Sequence, residues 1–157
     1  MATFHARDRS SAVLRSSRAE VWEVLTDAVL IARMTPYVTR IDVDGDRWTW
    51  QMVSLPVLGT SVSPTFTEVM DLEPTHRIRF THDPERSDEM TSVMGTYELA
   101  DDASGGTVVS IDLQIACDLP LPGLARPAVE RLMATVVKHM GVVFSRNLLQ
   151  HLGEEAA

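Results

Sequence analysis

Through most of the chain apolar side chains recur at every second position, and near the end the repeat lengthens to three and four. Residues about 3 to 14 read as a strand ending in Ala12, Val13 and Leu14. Ser17 to Glu20 has capping-box spacing, in which a hydroxyl accepts from the third residue's N–H and a glutamate reaches back. Val21, Trp22, Val24 and Leu25 then form the buried side of a short helix. Asp27 caps a second one, Ala28 to Met34, which ends before Pro36 because proline disfavours helical geometry in the residue preceding it.

Period two follows. Val38 to Val43 and Arg47 to Val53 are two strands around the turn Asp44-Gly45-Asp46, and the second puts Trp48, Trp50 and Met52 on one face. Ser54 to Pro64 is looser, broken by Pro56, Gly59 and Pro64. Thr65 to Leu72 aligns Phe66, Glu68, Met70 and Leu72, and His76 to His82 aligns Ile78, Phe80 and His82. Met90 to Leu99 contains Gly95, the mark of a bend or bulge. Thr107 to Ala116 alternates Val109, Ile111, Leu113 and Ile115 against more polar positions. From Pro127 to Leu152 the spacing is helical, with Val129, Leu132, Met133, Val136, Val137, Met140, Val143 and Phe144 on one stripe.

One strand, two short helices, six strands in hairpins and a long helix predict an α+β fold. So long a stripe needs a broad partner, and an antiparallel sheet of about seven strands, curved around the helix, supplies one. Nothing in composition or repeats divides the 157 residues, so residues 1–157 are expected to form a single domain.

Composition narrows the function classes. A net charge of −8, from 14 basic and 22 acidic residues, argues against nucleic-acid binding and against adhesion to anionic membranes. No apolar run reaches the roughly 18 residues of a span, and the polar start does not resemble a signal peptide, so a cytoplasmic protein without stable membrane insertion is expected. The lone cysteine, Cys117, excludes an internal disulfide and reads as a small packed side chain. The five histidines lack zinc-ligand spacing, and no nucleophile elbow or phosphate loop is present, so neither metal nor cofactor is expected.

Three stretches carry a family resemblance: Ser17 to Asp27, Met34 to Ile41, and Gly95 to Leu99 with Gly106 to Val109. In order and spacing the chain resembles the START-like superfamily, also called SRPBCC, which includes the polyketide cyclase/dehydrase and lipid-transport proteins and the Bet v 1-like branch. The resemblance implies a helix-grip fold with a deep pocket between sheet and long helix, used for lipids, polyketides, sterols or quinones. It also implies an arginine inside the cavity of aromatase/cyclases; here the comparable strand reads Phe66, Glu68, Met70, Leu72.

The expected ligand-binding residues are Trp48, Trp50, Met52, Phe66, Glu68, Met70, Phe80, His82, Met133, Val137, Met140 and Phe144. Glu68 stands among apolar neighbours, where desolvation would raise its pKa and suit it to acid–base work or to anchoring a polar group. His82 could meet it across the sheet, and Asn147 and His151 could ring the cavity mouth. Trp48 and Trp50 fit a flat ligand, core packing or a homodimer surface equally well. The favoured reading is binding of a small hydrophobic molecule. The alternatives are a polyketide-type aromatase/cyclase or dehydratase using Glu68 or His82, and a membrane- or protein-docking module presenting Leu55, Val57 and Leu58.

Overall fold

The computed structural model describes residues 1–154. A strand β1 (Ala2–Leu14) leads into helices α1 (Arg18–Leu25) and α2 (Ala28–Met34). Eight strands follow: β2 (Val38–Asp44), β3 (Arg47–Met52), β4 (Leu55–Val57), β5 (Thr60–Val62), β6 (Thr65–Glu73), β7 (Arg77–His82), β8 (Thr91–Asp101) and β9 (Thr107–Leu119). A 3₁₀ turn at Gly123–Ala125 opens the last helix, α3 (Arg126–His151). Seven strands form one antiparallel sheet in the order β1-β9-β8-β7-β6-β3-β2. The stretch expected to be loose, Ser54 to Pro64, is instead a small hairpin, β4 against β5. Its two prolines left periodicity too little to register, but Leu58 and Gly59 at φ 43° and 84° make a tight turn between three-residue arms.

The local signals act as the side chains require. Ser17 Oγ accepts from Glu20 N, whose own carboxylate accepts from Ser17 N, completing the capping box of α1. Asp27 Oδ1 accepts from Leu30 N and caps α2. Gly95 carries no bulge: its register with β9 is unbroken, while the β7 ladder ends opposite it. A Cβ there would collide with the carbonyl oxygen of Asp112 and lie 2.9 Å from Phe80 Cζ, so only glycine lets β9 cross so closely.

The 26 residues of α3 span about 39 Å, and the sheet grips them along β1. At one end Arg126 Nη1 donates to the Thr3 carbonyl oxygen and the Glu130 carboxylate accepts from His5 N. At the other, the Glu154 carboxylate accepts from the backbone N–H groups of Arg15 and Ser16 and from Ser16 Oγ. Both ends of the helix are thereby tied to the first strand and the turn after it.

The core divides the same way. One cluster joins Phe4, Cys117, Leu119 and Val129; the larger one packs α1, α2 and Leu148 against Leu14, Ile41, Trp48, Phe66, Ile78, Phe80 and Leu99. Only Val129 and Leu148 of α3 are buried. They stand 19 positions apart, about 28 Å along the axis. Leu132, Met133, Val136, Val137, Met140 and Phe144 between them are half-buried, because what faces them is a space. Val143, expected on the stripe, does not face that space, whereas Leu149 does. Among the described residues no helix is long and apolar enough to cross a membrane.

Candidate functional site

The space between sheet and α3 is a cavity of about 430 Å³, within the range of small-molecule sites. Asp8, Ser10 and Ala12 of β1 line it beside the helix, and α3 contributes Met133, Val137, Met140 and Phe144. Ser10, Ala12 and Ser145 line the cavity and are also solvent-exposed, which places an opening in the gap between β1 and α3. The β4–β5 hairpin closes the far side with Leu55, Val57 and Val62. The sheet supplies the remaining wall. Trp50 and Phe66, paired across β3 and β6, stack with ring centroids 5.6 Å apart, and Phe80 tilts against Tyr97 at 6.0 Å.

Glu68 interrupts this apolar wall. It is 3% exposed, opposes Trp48 on β3 and lines the cavity. Its carboxyl makes no hydrogen bond among the described residues, and burial pushes its pKa up to about 8. The indole Nε1 of Trp50 acts on it from the diagonal position across the ladder, favouring the charged form without reaching hydrogen-bond geometry. That N–H is itself buried and unpartnered. Tyr97, also on the wall, is held far above the usual phenol range, first by burial and then by the charge of Glu68. At neutral pH the site thus offers a carboxylic acid O–H, an unused indole N–H and a phenol inside an apolar chamber.

The structure brings every expected ligand-binding residue to the cavity wall except His82. His82 does oppose Glu68 in register, but it sits at the strand end, and its Nε2 donates to the Arg86 carbonyl oxygen at 3.0 Å. Asn147 is also turned away: its Nδ2 donates to the Met34 carbonyl oxygen, satisfying the end of α2. His151 is exposed, in a surface groove with Glu20 and Arg33. Leu55 and Val57 face the cavity, so only Leu58, at the hairpin tip, projects outward as a docking residue would. Tyr97 is the polar cavity side chain missed in the sequence. Its signal was the alternation Val93, Gly95, Tyr97, Leu99, which the glycine obscured.

Among the described residues no cluster of His, Cys, Asp or Glu is placed to hold a metal ion. Cys117 is buried, its Sγ 3.4 Å from Thr91 Oγ1, and burial raises its thiol. Among the described residues no arginine, lysine or histidine lines the cavity.

A ligand-sized chamber between a curved antiparallel sheet and one long helix defines a helix-grip protein, and sequence and structure comparisons agree. Residues 8–156 match the family described as polyketide cyclase / dehydrase and lipid transport, and the chain belongs to that family. No curated protein matches it by sequence. Among solved structures it is similar to a conserved protein from Geobacillus kaustophilus, with a TM-score of 0.71 and 13% identity over 94% of this chain and 95% of that one. A START superfamily protein from Mycobacterium smegmatis aligns with a TM-score of 0.66 and 14% identity, covering 92% and 97% of the two chains. The Zhui aromatase/cyclase from a Streptomyces species aligns at 0.63 with 15% identity over 94% and 93%. At these identities the likeness is one of fold.

Proposed function

We propose that this protein binds a small hydrophobic molecule, of lipid, polyketide or quinone type, between the sheet and α3. The observation that carries the reading is the half-buried middle of the helix. A 26-residue helix clamped at both ends leaves its apolar centre facing a cavity of about 430 Å³ in place of packed side chains. An apolar ligand filling it would gain about 25 cal/mol for each Å² removed from water. The test is native mass spectrometry of freshly purified protein, followed by extraction under denaturing conditions. A reproducible extra mass released on unfolding supports a binder; failure of every apolar probe to bind refutes it.

A second reading, an aromatase/cyclase or dehydratase, is supported by Glu68, which stays protonated to about pH 8 while facing the cavity and so suits a general acid. The Zhui aromatase/cyclase shares the fold. Against it stands the cavity wall without an arginine. Acceleration of poly-β-ketone cyclisation that disappears in Glu68→Gln would favour this reading over simple binding.

A further inference from the structure

We infer that the cavity selects an uncharged molecule whose apolar body ends in a hydrogen-bond-accepting oxygen, a ketone or alcohol, seated against Trp50 Nε1 and the Glu68 carboxyl, and that it rejects anionic lipids. The inference rests on the binding reading above and names the chemistry of the ligand's end group.

Two independent features of the wall carry it. The first is an unsatisfied donor beside a buried acid. Trp50 Nε1 is a donor only, buried and without a partner, and Glu68, 3% exposed, lines the cavity next to it. Buried polar groups are nearly always satisfied, so an orphan donor at a cavity wall points to an acceptor that arrives with the ligand. An indole N–H cannot bond a cation, and a plain hydrocarbon would leave it orphaned. The second feature is the absence of positive charge. Among the described residues the cavity is lined by two acids, Asp8 and Glu68, and by no arginine, lysine or histidine. A carboxylate or phosphate brought inside would lose its hydration without a counter-ion, at a cost no apolar contact offsets. Burial keeps Glu68 protonated at neutral pH, so it adds a second donor toward the same oxygen.

The test uses the full chain and a set of probes with one alkyl body and different ends: methyl decyl ketone, dodecanol, dodecane, dodecanoate and dodecylamine. Affinities are read by displacement of the neutral fluorophore N-phenyl-1-naphthylamine at pH 7. The ketone and alcohol are expected to bind about tenfold tighter than dodecane, the worth of one net hydrogen bond, and dodecanoate at least tenfold weaker than the ketone. In Trp50→Phe and in Glu68→Met the ratio of ketone to dodecane affinity, taken within each protein, falls toward one; an unchanged ratio in both variants overturns the inference. Dodecanoate or dodecylamine binding as tightly as the ketone overturns the inference and leaves the binding reading standing. Failure of all five probes, dodecane included, overturns the binding reading itself and the inference with it.

Discussion

Replacing Glu68 by glutamine separates a buried neutral acid from a solvated carboxylate. In the folded protein the carboxyl holds its proton to about pH 8, whereas unfolded it releases it near pH 4.5. Between those values the native state binds more protons than the unfolded one, so stability falls as pH rises. Each pH unit in that window costs about 1.4 kcal/mol, so the change from pH 4.5 to pH 7 removes about 3 kcal/mol. Glutamine has nearly the same shape and no charge. The variant should therefore match the parent within about 1 kcal/mol at pH 5 and exceed it by about 3 kcal/mol at pH 7, a rise in Tm of about 6–12 °C for a domain this size. Urea denaturation of both proteins at pH 5, 6, 7 and 8 reads the effect directly, because the other ionisable groups titrate alike in the two chains. The prediction concerns the difference in pH slope. Parallel slopes would refute the reasoning, since they would mean that Glu68 reaches water in the native state and its desolvation is small.

Gly95→Ala should destabilise the fold by about 2–3 kcal/mol in denaturant titration, because the new methyl group meets the Asp112 carbonyl oxygen and Phe80, and one strand must shift. Ser17→Ala removes the hydroxyl that accepts from Glu20 N at 3.2 Å and should cost about 1 kcal/mol, seen as a fall in Tm of about 2–4 °C. Cys117, buried and raised in pKa chiefly by desolvation, should react with iodoacetamide at pH 8 at least tenfold more slowly in the native protein than in urea. Equal rates would show that the cavity admits the reagent freely.

The parts of this fold legible in sequence were those governed by local rules. Ser17 with Glu20, and Asp27 before Ala28, announce helix starts because a capping side chain must sit at a fixed offset from the N–H it serves. Period two places Trp48, Trp50, Phe66, Glu68 and Met70 on one face because a strand can present them no other way. What escaped was decided by tertiary context. His82 shares the face of Phe80, yet at the strand end its Nε2 is taken by the Arg86 carbonyl and its ring stays off the cavity wall. Asn147 lies one turn from a cavity-facing residue, and the open end of α2 claims it. The hairpin Leu55 to Val62 has arms of three residues, too short for alternation to register.

Periodicity also cannot distinguish a stripe that packs from a stripe that faces a void. Met133, Val137, Met140 and Phe144 would carry the same spacing in either case. The difference lies in tertiary placement: Arg126, Glu130 and Glu154 fix the ends of α3 to β1 and the turn after it, and the apolar side of the helix then faces the chamber. The clamps therefore make the cavity as much as its lining does. Held against β1 at both ends, α3 cannot swing down onto the wall of Trp50, Phe66 and Phe80, and collapse of the chamber would require breaking one set of charge-assisted hydrogen bonds. Glu68 stands on the sheet wall of that chamber, beside the Trp50 indole, and faces whatever enters.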